Sequence, residues 1–190
     1  MMKLIALGQY LTLDDFCLCS ETYQKYAQNI NPYPQQPETI TALKDLNQHI
    51  IDPIIQRFGR DNFQLTYGFC SPDLKRFLNQ KDPETGIKNG RIDPSRDQHL
   101  CYELNRNHKP FCDRGGAACD FLIQNRESDR VVTWIVESKL PFDSLYFYGK
   151  TRPIHISYGL QHKRDIWTFN STGQPTRKGT EIWQNQIKST

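Results

Sequence analysis

Residues 142–157 read FDSLYFYGKTRPIHIS, and this stretch decides the fold. Two segments rich in aromatic and β-branched residues, 144–148 and 153–158, flank the turn Gly149-Lys150-Thr151. Such residues suit a pleated, half-buried surface, and glycine supplies the turn between them, so the stretch is expected to form a strand pair. Tyr146, Tyr148, Trp134 and Trp167 recur as core residues do and are not read as a stacking platform.

Working outward, 165–169 is expected as a further strand and 180–187 as a terminal helix. Upstream, Gly115 and Gly116 precede a short strand over 118–123. Ser128 caps a helix through Val136, although its valines and isoleucine also suit a strand. Before that the character changes. Ile40, Leu43, Leu46, Ile50, Ile54 and Phe58 recur at intervals of three and four, which predicts one helix face over 38–58, kinked at Pro53 and ended by Gly59. Phe63, Leu65, Tyr67 and Phe69 alternate as a half-buried strand does. Ser71-Pro72 predicts a capped helix through Leu78, 79–94 a loop, and Asp93-Pro94 the start of a helix to about Asn105. A short helical segment precedes the Pro- and Asn-rich loop at 29–37. Helices come first and strands cluster later, which points to a single α+β domain over 1–190, with N-terminal helices packed on a mainly antiparallel sheet.

Hydrophobic residues make up 37% and charged residues 24% of the chain, globular values that exclude a disordered one. The net charge of +3 permits an anionic partner, nucleic acid included, without the strong bias that would imply one. The first ten residues lack a signal-peptide core, and no apolar run reaches the length of a membrane span, so a cytoplasmic protein is expected. Its six cysteines, with no C-x-x-C pair among them, are then expected to be reduced.

Four stretches, in order, carry a resemblance. LTLDDFCLCS, the helix-and-strand opening ETITALKDLNQHIIDPIIQRFG with FQLTYGFCSPDL, the segment GGAACDF, and FDSLYFYGKTRPIHIS resemble the phage-type members of the D-Ala-D-Ala carboxypeptidase/Hedgehog-type zinc peptidases over roughly residues 10–160. The resemblance implies that fold, a zinc ion held by His, Asp and His, a carboxylate base, and an arginine that steadies the developing oxyanion. GGAACDF is similar to the end of the family motif H-x-x-G-x-A-x-D, so Asp120 matches the aspartate ligand; His155 matches the last histidine. The first histidine falls on Asp113, the arginine on Cys70, and the carboxylate three before the last histidine on Arg152.

Two repairs of the metal site are open. His99 replaces the missing histidine, with Glu103 one helical turn later as base or supporting partner; the plain alternative is a solvated polar pair on a surface helix. Otherwise Asp113 is itself a ligand, and two aspartates with one histidine suit a harder ion than zinc. Cys70, whose position the resemblance implies faces the cleft, is a candidate soft ligand or a nucleophile activated by His155, against the usual reading of a buried cysteine as a small hydrophobe. Arg152, with Lys150 and Arg114, is a candidate anion-binding group. The expected function is a divergent zinc-dependent hydrolase acting on amide bonds of peptidoglycan-like peptides, in a phage lysis or tail setting. The alternative is a catalytically degenerate module that binds an anionic ligand, nucleic acid or a protein partner through the same cleft.

Overall fold

The computed structural model describes residues 5–90 and 97–188. Two short helices, α1 (Leu13–Leu18) and α2 (Glu21–Tyr26), lead through a loop to α3 (Pro37–Leu46). A single π-helical turn, Asn47–Ile51, joins α3 to α4 (Asp52–Phe58). The apolar periodicity across 38–58 is therefore one continuous buried stripe, with Leu43, Leu46, Ile50 and Ile54 fully buried. The irregularity lies just before Pro53, which has no N–H to give the helical ladder, and the extra residue of the π turn absorbs that defect. Gly59, at φ 91°, ends α4 in a conformation that glycine adopts freely.

Strand β1 (Phe63–Tyr67) follows, then α5 (Pro72–Asn79), whose Ser71 cap accepts a hydrogen bond from the Leu74 N–H at 3.0 Å. After a long irregular segment come β2 (Ala117–Ile123), α6 (Ser128–Glu137), β3 (Ser144–Phe147), β4 (Ile154–Tyr158), β5 (Asp165–Phe169), β6 (Pro175–Thr176) and α7 (Glu181–Lys188). The strands form one six-stranded sheet in the order β1-β2-β4-β3-β5-β6, antiparallel except for the parallel β3–β5 pair. The mixed α+β class and the mainly antiparallel sheet stand as expected, and Ser128–Glu137 is a helix.

The helix expected over 93–105 does not form in its described part; residues 91–96 lie outside the described residues. Gln98–Leu100 is one 3-10 turn, stopped by Cys101 at φ 48°. Longer-range bonds outweigh local helical preference here: the His99 carbonyl accepts the Cys70 N–H at 2.9 Å, and the His99 ring is tied to Gly68. Cys101 is fully buried in a backbone conformation unusual for a side-chain-bearing residue, which costs on the order of 1–3 kcal/mol.

The alternation of Phe63, Leu65 and Tyr67 also breaks. Phe63 and Leu65 pair with Ile123 and Phe121, but Tyr67 pairs with Asp120, so two residues of β1 oppose one of β2. This bulge leaves the Thr66 hydroxyl buried without a partner and turns Tyr67 to the opposite face from Phe63.

The sheet's two faces differ accordingly. Cys119, Phe121, Leu145, Ile154, Ile156 and Ile166 join the main core with helices α1, α3, α4 and α6. The other face carries, strand by strand, Tyr67, Asp120, His155, Tyr146 and Trp167 in one lateral row. A smaller cluster of Ile30, Cys70, Leu74, Leu78 and Leu100 packs α5 beside that row. The six cysteines are all unpaired. Among the described residues, no helix is long and apolar enough to cross a membrane.

Gly116 fixes how β2 meets β4. Its φ is 78°, and a Cβ there would lie 2.2 Å from the Tyr158 carbonyl oxygen. Gly179 shares the positive φ, 84°, with open space around it. Gly116→Ala is expected to lower stability by about 3 kcal/mol, and Gly179→Ala by only about 1 kcal/mol, since only the first adds a backbone clash to the conformational strain. Urea denaturation of the two variants beside the parent measures the difference; equal losses would contradict the close approach.

Candidate metal centre

Three side chains converge on the polar face. Asp120 and His155 are direct partners across the β2–β4 pair, and His99 reaches the same point from the 3-10 turn. His155 Nδ1 lies 2.8 Å from Asp120 Oδ1, His99 Nε2 lies 3.2 Å from His155 Nδ1, and His99 Nε2 lies 3.4 Å from Asp120 Oδ1. A tetrahedral ion with bonds of about 2.0–2.1 Å holds its ligand atoms about 3.3–3.4 Å apart. The three atoms form a nearly closed triangle of about that size, so the cluster can hold a metal ion.

The supporting contacts fix the ring orientations. His99 Nδ1 lies 2.6 Å from the Gly68 carbonyl oxygen, which can only accept, so this nitrogen carries a proton and Nε2 faces the cluster. The Asp97 carboxylate accepts the His99 backbone N–H at 3.0 Å and caps the turn. Tyr67 meets the His99 ring edge-on at 4.7 Å, and Tyr146 stacks on His155 at 4.5 Å and 15°. Both histidine side chains are less than a tenth exposed, while that of Asp120 is 25% exposed, so the open side of the cluster is at the aspartate.

The electrostatics follow from three inward-facing acceptors. Burial works against charge on Asp120, but the His99 charge and hydrogen bonds from His155 and His99 prevail and hold its carboxyl well below the usual carboxylate range. Burial likewise works against the His99 imidazolium, yet Asp97, Asp120 and the Gly68 carbonyl outweigh it and push the group up to about 9. Without a metal, protons occupy the triangle and join its lone pairs.

The remaining sequence candidates lie elsewhere. Glu103 is fully buried, but its carboxylate faces the start of α3, accepting from the Gln35 and Gln36 N–H groups at 3.1 and 3.2 Å and from Thr39 Oγ1 at 2.8 Å. The expectation of Glu103 as base or support to His99 is corrected: no helix joins the two, and Glu103 anchors the loop before α3. Cys70 sits in the small apolar cluster, and burial chiefly pushes its thiol up to about 12, so it is no thiolate at neutral pH. Asp113 is exposed and takes no part in the triangle. Arg152 is exposed in the β3–β4 turn, where its carbonyl accepts from Ser128 Oγ. Lys150 is tied to Glu127 and Asp129 at 3.3 and 3.4 Å, which removes it from the expected anion cleft.

Gly68, Asp97, Tyr67 and Tyr146 were missed as site residues. Tyr146 was within reach: a hairpin centred on the 149–152 turn places it opposite His155. The other three depend on the bulge and on long-range contacts, which leave no local signal. A cavity of about 440 Å³ beside Cys19 and Arg60, and another of about 320 Å³ against Tyr102 and Tyr158, are not lined by the cluster. Comparison with protein-family models, curated proteins and solved structures finds no match to this chain.

Metal must displace the His99 proton. Affinity for Zn²⁺ is therefore expected to rise about tenfold per pH unit below about 9 and to level off above it, measured by competition with a chelator of known pH dependence. The metal-free protein runs the opposite way. The folded-state value is raised above the ordinary 6.5, so the stabilisation is fully present below that pH and is lost as pH rises through about 9. A metal affinity flat across this range would contradict a protonated His99.

Glu103→Ala separates anchor from ligand support. It leaves two loop N–H groups and the Thr39 hydroxyl without their acceptor and is expected to cost about 2–3 kcal/mol of stability. Stoichiometric zinc binding is retained. Thermal melting and metal analysis of the same sample check both.

Proposed function

We propose that this chain is a divergent zinc-dependent hydrolase of the D-Ala-D-Ala carboxypeptidase/Hedgehog type, acting on amide bonds of peptidoglycan-like peptides. The observation that carries the reading is the triangle of His99 Nε2, Asp120 Oδ1 and His155 Nδ1. Two nitrogens and one oxygen suit zinc over the oxygen-loving cations, and three protein ligands leave a fourth position for chemistry. Zinc bound there supplies Lewis acidity and lowers the pKa of water.

The chain's own residues supply the rest. Asp120 carries one negative charge and the neutral histidines none, so the occupied site keeps a net positive charge toward a carbonyl oxygen. Gly68 and Asp97 hold the His99 ring and backbone, and the Tyr146 ring holds that of His155. Hydrolysis also uses a side chain that takes up and returns a proton, a carboxylate in the family this chain resembles. Glu103 is turned toward α3 and Arg152 stands at the family's carboxylate position, while Asp97 fixes the His99 backbone and its charge acts on His99, Tyr67 and Tyr148. The absence of a family-type arginine at Cys70 separates this chain from a standard member and argues for a changed substrate preference.

The test is metal content and amide hydrolysis on the same preparations. About one equivalent of zinc is expected in the parent, lost in His99→Ala and in His155→Ala and retained in Asp113→Ala. Release of new amines from short peptidoglycan peptides should follow the metal. Zinc that survives His99→Ala would sink the site as drawn, and a fully loaded parent that cleaves no amide would sink the reaction.

A further inference from the structure

Beyond the ligands, the polar face carries a continuous set of aromatic rings. Tyr146, stacked on His155 at 4.5 Å, meets Phe169 edge-on at 5.5 Å and Tyr148 edge-on at 6.4 Å. Tyr148 and Phe169 are themselves stacked at 5.0 Å and 23°. Tyr148 is 43% exposed, and Phe169 is half-buried. A run of aromatic rings thus begins at a ligand histidine and reaches solvent, with Tyr146 edge-on to the stacked Tyr148–Phe169 pair. Nothing in the core requires it: the main core lies on the opposite face of the sheet.

The surface is also uncharged. Burial, with the charges of Asp120 and Asp97, pushes the Tyr148 phenol above its ordinary value, so it stays neutral. Two of the neighbouring cations are engaged elsewhere, while the Arg152 side chain in the β3–β4 turn is exposed. Lys150 pairs with Glu127 and Asp129, and Arg177 pairs with Asp165 at 2.7 Å while lying over the Trp167 ring at 4.6 Å. A phosphate or carboxylate on the substrate would find Lys150 and Arg177 already paired, whereas a flat neutral ring would gain stacking area on the aromatic rings.

We propose that Tyr148 and Phe169 form the specificity shelf of this site, receiving a flat, uncharged ring that the substrate carries next to the bond attacked. The proposal rests on reading His99, Asp120 and His155 as a hydrolytic metal site, and it departs from the peptidoglycan-like substrate proposed above, whose stem peptides carry carboxylates and no flat ring. Tyr146 joins the shelf to the ligands, stacking on His155 and meeting Tyr148 and Phe169 edge-on, so a ring lying on Tyr148 sits beside the cluster.

The experiment uses the full chain loaded with cobalt(II), whose visible absorption reports both uptake and inner-sphere ligands. Acetohydroxamic and benzohydroxamic acids are titrated into the parent, Tyr148→Phe and Tyr148→Ala. The preference for the benzo compound is expected to fall about threefold to tenfold in Tyr148→Ala and to persist in Tyr148→Phe, which keeps the ring. Cobalt affinity is expected to be equal in all three. A preference unchanged in Tyr148→Ala overturns the shelf, as does an equal loss in Tyr148→Phe, which would assign the effect to the hydroxyl. Cobalt bands that respond to neither hydroxamate overturn it as well. So does a parent dimer abolished by Tyr148→Ala, which would give the rings to a second copy of the chain. Should Tyr148→Ala lose cobalt, Phe169→Ala replaces it, and an unchanged preference there overturns the proposal. Failure of the parent to take up cobalt overturns the metal reading itself, so the two failures are distinguishable.

Discussion

The hydrogen bond between His99 Nδ1 and the Gly68 carbonyl joins two parts of the chain that are distant in sequence, and the third ligand reaches the site only because they meet there. Residue 68 has to be glycine: a Cβ would lie 2.5 Å from the Phe16 carbonyl oxygen, which also accepts the Phe69 N–H at 2.9 Å. One residue later the Cys70 N–H reaches the His99 carbonyl at 2.9 Å. Residues 68–70 therefore bind α1 on one side and the His99 turn on the other, continuing β1 beyond its last sheet pairing. The contact satisfies backbone groups that burial would otherwise strand, and it fixes which nitrogen of His99 faces the cluster.

The remaining two ligands need no such device. Asp120 and His155 face one another because β2 and β4 are antiparallel neighbours in a fixed register, and their opposite faces lock that register. Cys119, Phe121, Ile154 and Ile156 are all fully buried in the main core. A slip by one residue would move the ligands into the core and the apolar set into the polar cluster, so the hydrophobic core is what holds the ligand pair in place. The bulge in β1 completes the arrangement by bringing Tyr67 onto the same face, against His99.

This division explains what was legible in the sequence. Periodicity over 38–58, the Ser71-Pro72 cap and the hairpin around Gly149 are local signals, and each element formed where local physics placed it. Asp120 and His155 were legible for the same reason, as strand residues beside recognisable turns. His99 was legible as a candidate by residue type, but the helix invoked to pair it with Glu103 was not real. Cys101 reverses the chain between them, and Glu103 goes to the loop before α3. The alternation of Phe63, Leu65 and Tyr67 misled about Tyr67 because a single inserted residue changes the face of everything after it. No periodicity argument anticipates that residue. It is set by the tertiary contacts that Gly68 and His99 make.

The mixture of rigid and tethered ligands has a chemical consequence. The sheet supplies a carboxylate and an imidazole whose separation is fixed by strand pairing, while the third ligand sits on a turn held by one side-chain bond, two backbone bonds and a strained residue. Burying three acceptors together is costly unless something positive lies between them. In the metal-free protein that role falls to the His99 proton, drawn in by Asp97 and Asp120. A divalent cation would replace the proton with a larger charge while keeping the same lone-pair directions, because the Gly68 carbonyl holds the ring orientation in either state. The protonated triangle is thus already shaped for the ion. Metal binding would exchange one cation for another within a preformed site, with the core of the sheet left unchanged.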